Sequence, residues 1–208
     1  MNVDAERAER EPAVVGWPDV PGDTALTIKV PEADPLVRAG FPAHVTVLYP
    51  FVHESRLDTA AHRDLAALFA GHDAFTLTFA EFARYPGVLY LDPWPHAPVT
   101  GLAKDLTRRW PEAVPYRGIF DTPLAPHLTV ANSEGPATQD AAYDALQADL
   151  EPFLPLTCRV REVHLIVWDG TRWQDRTAYP LGLRPGGGPP PEMQDSRFRD
   201  MPDSSDRK

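Results

Sequence analysis

Hydrophobic and polar residues alternate along much of the chain, and an alternation with a period of two predicts β-strands. The strands predicted in this way lie at residues 25–30, from His44 to Tyr49, at 75–85, at 88–91, from His127 onward, at 154–168 and at 172–181. Two of the connections, Pro86-Gly87 and Asp169-Gly170, are residue pairs typical of tight hairpin turns. The pattern therefore predicts several strands linked by short turns.

Three other stretches carry apolar residues at helical spacing. These predicted helices cover residues 57–69, 99–110 and 137–150. Asp58 is the expected N-cap of the first helix, and Gly71 is its expected C-terminal stop. With 208 residues, 43% of them hydrophobic, the chain can bury a substantial core as one domain or as two small lobes.

The order of the elements repeats along the chain. After each of the strands that begin at His44 and His127 come a helix, a long alternating strand, a tight turn and another strand. Residues 79–82 and 160–163 also share a sequence pattern. A duplicated unit would place the two halves at symmetry-related positions around one cleft, and a chance similarity is the alternative.

Composition sets the expected limits of the folded part. Residues 1–20 are rich in charge and are predicted to form a flexible N-terminal segment, while residues 185–208, which begin with runs of Gly and Pro, are predicted to form a disordered tail. The intervening residues 21–184 are the predicted domain.

Charge and cysteine content narrow the classes of function. A formal net charge of −10 argues against an extended nucleic-acid surface, because such a surface neutralises many phosphates with Lys and Arg. The single cysteine, Cys158, lies in an apolar stretch and is predicted to be a small core residue. A chain with one cysteine forms no internal disulfide, which fits a protein of the reducing cytoplasm. No apolar run is long enough to cross a membrane, and the N-terminus lacks the apolar region of a signal peptide. We expect a cytoplasmic monomer that is not membrane-bound.

The candidate chemistry lies in two similar motifs, His44-Val45-Thr46-Val47 and His127-Leu128-Thr129-Val130. Side chains two residues apart on a strand point to the same face, so each motif presents an imidazole beside a hydroxyl. Two such strands facing one cavity would surround a small anionic group with two imidazoles and two hydroxyl donors. Two buried histidines satisfied by core hydrogen bonds are the competing interpretation.

This set of groups suits the hydrolysis of a phosphodiester. One histidine can take a proton from water while the other protonates the departing oxygen, because the imidazole pKa lies near working pH. Thr46 and Thr129 can donate hydrogen bonds to the non-bridging phosphate oxygens. The remaining histidines lack metal-ligand spacing, and neither a G-x-S-x-G sequence nor a base for Cys158 is present, so no metal and no cofactor are expected.

The doubled motif resembles the two-histidine (2H) phosphoesterase superfamily in its 2′-5′ RNA ligase-like branch. The resemblance rests on Pro-Ala-His-Val-Thr-Val-Leu-Tyr-Pro-Phe and Pro-His-Leu-Thr-Val-Ala, about eighty residues apart, and extends to the hairpin at 84–91 and the closing strand at 173–182. It covers roughly residues 24–183.

The resemblance implies an α+β fold with two pseudo-symmetric lobes, in which two antiparallel sheets flank a central cleft and the helices pack outside. It implies metal-independent action on 2′,3′-cyclic phosphates, 2′-5′ linkages or related cyclic nucleotides, reversible as RNA ligation. His44 would then be the proton donor and His127 the proton acceptor, with the roles reversed in ligation. Thr46 and Thr129 would hold the phosphate of a small nucleotide or an RNA terminus.

Five further residues are weaker substrate-binding candidates. Tyr49, Tyr85 and Tyr90 could stack on a base, although core packing is the competing interpretation. Arg84 and Arg117 could place positive charge near the mouth of the cleft, although pairing with a surface carboxylate is the usual role of such an arginine.

Two alternatives to this enzyme stay open. A non-catalytic module that binds nucleotides or RNA ends could keep the same cleft without turnover. A phosphoesterase acting on a cyclic sugar phosphate has no sequence feature that separates it from RNA-end processing.

Overall fold

Eight strands and three α-helices make up the computed structural model, which describes residues 19–39, 41–120, 124–132 and 139–182. The strands are β1 (Thr24–Lys29), β2 (His44–Leu48), β3 (Phe75–Tyr85), β4 (Val88–Trp94), β5 (Leu128–Asn132), β6 (Leu156–Val160), β7 (Glu162–Trp168) and β8 (Trp173–Pro180). The α-helices are α1 (Thr59–Ala70), α2 (His96–Arg109) and α3 (Gln139–Leu150). The flexible segment predicted at 1–20 lies outside the described residues up to residue 18, and so does the whole tail predicted at 185–208.

The strands form one sheet in the order β6-β3-β4-β5-β2-β1-β7-β8, and every neighbouring pair is antiparallel. The prediction of two separate sheets is therefore wrong, although the mixed composition of helices and antiparallel strands is confirmed. The two halves join where β2 pairs with β5 at Val45 and Leu128. This junction places the two His-x-Thr strands side by side at the centre of the sheet.

The strand order also limits the predicted repeat. Strands β3 and β7 each lie second from an edge of the sheet, but β4 is on the inner side of β3 whereas β8 is on the outer side of β7. The hairpins that follow the two motifs are therefore placed differently.

The alternating run predicted at 154–168 is two strands rather than one. It breaks at Arg161, so that β6 pairs with β3 at one edge of the sheet while β7 pairs with β1 and β8 in the other half. The backbone carbonyl of Arg161 accepts a hydrogen bond of 2.8 Å from the N–H of Leu181, which follows β8. The two consecutive polar residues Arg161 and Glu162 shift the alternation by one position, so the pattern itself contained a signal for the break that the prediction of a single strand overlooked.

Local signals in the sequence account for the helices and turns. The Asp58 carboxylate accepts a hydrogen bond of 2.8 Å from the N–H of Ala61, which confirms the predicted N-cap of α1. Gly87 and Gly170 occupy the two predicted turns with φ of 78° and 99°, a region that glycine adopts without strain. Helix α2 begins three residues earlier than predicted, because Pro98 falls in its first turn, where a missing N–H breaks no helical hydrogen bond.

The main hydrophobic core lies on one face of the sheet. Val45 and Leu128, at the junction of the two halves, are fully buried there together with Leu65 of α1 and Leu102 of α2. Cys158 belongs to the same core, as predicted, and burial raises the pKa of its thiol to about 12. Since side chains alternate along a strand, the neighbours of Val45 and Leu128 project from the opposite face. No helix among the described residues is both long and apolar enough to cross a membrane.

Candidate active site

The two motifs meet across the central strand pair. Val45 is opposite Leu128 in an antiparallel register, so one step along each strand sets His44 opposite Thr129 and Thr46 opposite His127. All four polar residues are part-exposed on the face away from the core. Each imidazole therefore faces the hydroxyl of the other motif, at the spacing of directly opposed residues.

Both imidazoles are held by the same backbone contact. The Nδ1 atom of His44 lies 2.9 Å from the carbonyl oxygen of Pro42, and the Nδ1 atom of His127 lies 2.9 Å from that of Ala125. A carbonyl oxygen can only accept, so Nδ1 carries the hydrogen in each neutral ring. In both histidines Nε2 is consequently the ring nitrogen that can accept a proton when the ring is neutral and donate one when the ring is charged.

The electrostatics of the two rings are coupled. Burial lowers the pKa of both His44 and His127 below the ordinary value of 6.5, against the opposing effect of the backbone carbonyls. A positive charge on His127 lowers the pKa of His44 further. The pair therefore disfavours the doubly protonated state, and the state with one charged and one neutral imidazole occurs on the acidic side of pH 6.5.

Two tyrosines enclose His127. The rings of Tyr85 and Tyr90 stack with centroids 4.6 Å apart, and each lies 5.5 Å from the His127 ring. Tyr90 also faces Thr129 in the register of β4 with β5. Burial, followed by its hydrogen bond with Tyr85, raises the pKa of Tyr90 to about 12, so this phenol stays neutral beside the imidazole. The structure thus brings these two predicted residues to the motifs.

The surroundings of His44 are different. Its ring meets the Phe41 ring edge-on at 4.6 Å. On the next strand Lys29 faces His44, and its Nζ atom lies 2.6 Å from an oxygen of Asp175. This side therefore combines an aromatic contact with a neutralised ion pair.

Tyr116 is a site residue that the sequence analysis did not single out. Its hydroxyl is hydrogen-bonded to that of Thr46, and burial raises its pKa to about 12. Its backbone N–H donates to the carbonyl of Tyr49 over 2.6 Å. The only sequence signal was a loop rich in aromatic residues before the second motif.

The loop that carries Tyr116 has an unusual backbone. Tyr116 and Arg117 have φ of 49° and 55°, in the left-handed region that residues with a side chain seldom adopt. The Arg117 guanidinium forms an ion pair with the buried Asp23 carboxylate, and this pair secures the loop. Backbone strain of this kind persists only where surrounding contacts over-determine it, and it concentrates at functional sites.

Three weaker candidates are not presented to the cleft as predicted. Arg84 lies on the opposite face from Tyr85, where it pairs with Asp144 of α3 at 2.6 Å, because adjacent strand residues face opposite sides. Arg117 is engaged by Asp23, so it positions the loop and does not supply positive charge at the mouth of the cleft. Tyr49 is buried, and its hydroxyl donates to Asp19.

Within residues 19–39, 41–120, 124–132 and 139–182, no group of three or more His, Cys, Asp or Glu side chains is arranged to hold a metal ion.

Comparison with known proteins gives a consistent result. The sequence model of the 2′-5′ RNA ligase superfamily matches residues 25–172. Escherichia coli LigT, solved with 3′-AMP, is similar in fold at 17% identity and a TM-score of 0.52, over 78% of this chain and 99% of that one. The Thermus thermophilus protein TT0787 is similar at 16% identity and a TM-score of 0.54, over 77% of this chain and 98% of that one. No curated protein matches the sequence.

Proposed function

The chain belongs to the 2′-5′ RNA ligase superfamily, and from that membership and the geometry of the two motifs we propose that it is a metal-independent phosphodiesterase. The proposed reaction is the hydrolysis of 2′,3′-cyclic phosphates, or of related cyclic nucleotides and 2′-5′ linkages, by acid–base catalysis between His44 and His127. One observation carries the proposal: two imidazoles with the same tautomer share one face of the sheet with two hydroxyl groups placed crosswise between them.

The substrate is a small nucleotide or an RNA terminus. The similar fold of LigT holds 3′-AMP, which supports a nucleotide monophosphate as the unit that the cleft accepts. A net charge of −10 supports the same view, since one phosphate can be bound by local donors whereas a long strand requires many cations. We assign the activity to a monomeric cytoplasmic domain at residues 21–184.

In the first half of the proposed mechanism, neutral His127 accepts a proton from water at Nε2. The water oxygen then attacks phosphorus in line with the P–O3′ bond. In the second half that bond breaks, and protonated His44 donates the proton on its Nε2 to the departing 3′ oxygen. The product is a 2′-phosphate with a free 3′ hydroxyl, and the two histidines have exchanged their protonation states. In ligation the 5′ hydroxyl of a second strand takes the place of water: its oxygen bonds to phosphorus, the P–O3′ bond breaks, and a 2′-5′ linkage forms.

Thr46 and Thr129 stabilise the charge that builds on the non-bridging oxygens. Each hydroxyl lies across from the histidine of the other motif, so both donors flank the phosphorus between the two rings. Tyr116 positions Thr46 through the hydrogen bond between their hydroxyl groups. The bound phosphate also favours protonated His44, which opposes the effect of burial on its pKa.

The test is the hydrolysis of adenosine 2′,3′-cyclic phosphate in the presence of EDTA, with the position of the product phosphate determined. We expect adenosine 2′-phosphate, and a loss of about 10²–10⁴-fold in kcat for His44→Ala and for His127→Ala. His72→Ala is a matched control, because this partly buried histidine follows α1 and its Nε2 lies 3.0 Å from Asp105 of α2, and both helices pack on the core face of the sheet.

Three outcomes would contradict the proposal. A 3′-phosphate product would reverse the donor and acceptor roles. Loss of activity with EDTA would show that a metal ion is required. Nucleotide binding without turnover, unchanged in both histidine variants, would identify the protein as a non-catalytic binding module.

A further inference from the structure

A cavity of about 240 Å³ opens beside His44, on the half of the sheet formed by β1, β2, β7 and β8. This volume is below the roughly 300 Å³ at which ligand pockets usually start, so the space can hold at most one nucleoside and excludes an oligonucleotide. His44 forms part of its wall, which makes it continuous with the proposed reaction centre. Its lining also includes Phe41, Ile166, Trp173, Lys29 and Asp175.

The apolar part of the cavity is fixed in place by neighbouring rings. Trp173 meets the Tyr49 ring edge-on at 5.7 Å and the Trp168 ring at 5.7 Å. Ile166 belongs to the same small hydrophobic cluster, which lies on the opposite side of the sheet from the main core. An aromatic surface that is already ordered favours a planar, sequence-tolerant ligand such as a nucleobase.

The polar part of the cavity has no net charge. The Lys29 ammonium and the Asp175 carboxylate neutralise each other at 2.6 Å. A second phosphate would have to compete with Asp175 for the Lys29 ammonium. An uncharged base, whose edge carries both donors and acceptors, can instead contact both members of the pair.

The opposite side of the candidate site carries two aromatic rings beside His127. Tyr85 and Tyr90 stack on each other and meet the His127 ring edge-on, in the position that corresponds to the cavity beside His44. In a 2′,3′-cyclic phosphate the departing oxygen belongs to the nucleoside, and water attacks from the opposite direction. A nucleoside beside His44 therefore aligns the departing oxygen with His44 and the water with His127.

We propose that the cavity is a nucleoside subsite, in which Trp173 stacks on the uncharged base of the substrate and the Lys29–Asp175 pair contacts its polar edge. The proposal deepens the proposed function and rests on it. It assigns a nucleoside cyclic phosphate as the substrate class and disfavours a cyclic sugar phosphate and a nucleotide with a second phosphate in this space.

The experiment compares two substrates that share the reacting ring: adenosine 2′,3′-cyclic phosphate and methyl ribofuranoside 2,3-cyclic phosphate, which has no base. We expect Trp173→Leu to lower kcat/KM for the adenosine substrate about tenfold, the size of a base–aromatic stack, mainly through KM. The base-free substrate should change less than about twofold, because it makes no stacking contact. Trp173→Phe should restore most of the loss.

Trp94→Leu is the matched control, since this tryptophan is 68% exposed at the far end of β4 and does not line the cavity. Equal losses on both substrates, or none on the adenosine substrate, would overturn the proposal. So would a base-free substrate that the unaltered protein hydrolyses as well as the nucleotide.

A failure of the proposed function can be told apart from a failure of the subsite. If the unaltered protein hydrolyses neither substrate, the proposed function fails, and calorimetric titration with adenosine 2′-phosphate and with inorganic phosphate decides on the subsite. A tenfold weaker affinity of Trp173→Leu for the nucleotide alone would support it. An unchanged affinity, or equal weakening for both ligands, would refute it.

Discussion

The surroundings of His44 and His127 differ far more than their motifs do. Both rings hold the same tautomer through a contact of 2.9 Å with a carbonyl two residues upstream, and both follow the same alternation of imidazole and hydroxyl. Yet His127 lies against two stacked tyrosines, whereas His44 borders a cavity lined by Trp173 and a neutral ion pair. In the proposed mechanism each motif supplies a proton-transfer group, and the neighbouring residues decide on which side of the phosphate that group acts.

The difference also extends to the hydroxyl groups. Thr46 is hydrogen-bonded to Tyr116, from a loop held by the Arg117–Asp23 ion pair, while Thr129 faces Tyr90 across β4 and β5. A pair of similar motifs therefore forms an asymmetric site. Asymmetry of this kind is what in-line displacement requires, because one oxygen attacks while another departs.

The largest effect is expected from removing either histidine, and a change of leaving group should separate their roles. Replacing the bridging 3′ oxygen of the substrate with sulfur makes the leaving group a thiolate, which departs without a proton because a thiol pKa is about 8.5. His44→Ala should lose about 10³-fold in kcat on the oxygen substrate and about tenfold or less on the sulfur substrate. His127→Ala should lose about 10³-fold on both. Rescue of His127→Ala, and not of His44→Ala, would invert the assignment.

The next largest effect concerns the two threonines. Thr46→Val and Thr129→Val should each lower kcat/KM about 10- to 100-fold, the range of a hydrogen bond to a charged group. Tyr116→Phe should lower kcat/KM about three- to tenfold. The same substitution should have no further effect when it is added to Thr46→Val, but it should keep its effect when it is added to Thr129→Val, because Tyr116 is hydrogen-bonded to Thr46 alone of the two threonines. Equal coupling to both threonines, measured by double-mutant cycles, would show that Tyr116 acts on the site as a whole.

A smaller effect is expected on the pH profile. Burial lowers the pKa of both histidines. In the free protein His44 therefore loses its proton below pH 6.5, and His127 stays neutral at pH values where an unperturbed imidazole would already be protonated. The bell-shaped profile of kcat/KM should therefore peak on the acidic side of 6.5. The profile of kcat should lie at higher pH, because bound phosphate favours protonated His44. A kcat/KM optimum above neutrality, measured over the acidic and neutral range, would contradict the assignment of both groups.

The smallest effect is expected for Arg84→Ala. Arg84 pairs with Asp144 on the core-side face, so kcat/KM should change less than about twofold and the free energy of unfolding should fall by about 0.5 kcal/mol, as for an exposed ion pair. Lys104→Ala on α2 serves as a control for removing a surface cation. A tenfold loss of activity in Arg84→Ala, with an unchanged melting temperature, would return this arginine to the substrate site.

Some errors of the sequence analysis were avoidable. Arg84 and Tyr85 are adjacent on one predicted strand, so the alternation rule itself allows only one of them to face the cleft. The structure places Tyr85 there. The break at Arg161 was also readable in part, since the consecutive polar residues Arg161 and Glu162 shift the alternation by one position. The pairing of β6 and β7 in different halves of the sheet had no local signal.

The sequence by itself determined which side chains form the candidate site. In each motif the period of a strand sets the imidazole and the hydroxyl on one face, and this depends only on the local backbone. The tertiary structure decided what surrounds them. The pairing of Val45 with Leu128, the approach of Lys29 to Asp175 and the contact of Tyr116 with Thr46 join residues far apart in the chain. Contacts between distant residues follow from the packing of the whole sheet, so no local pattern could specify them.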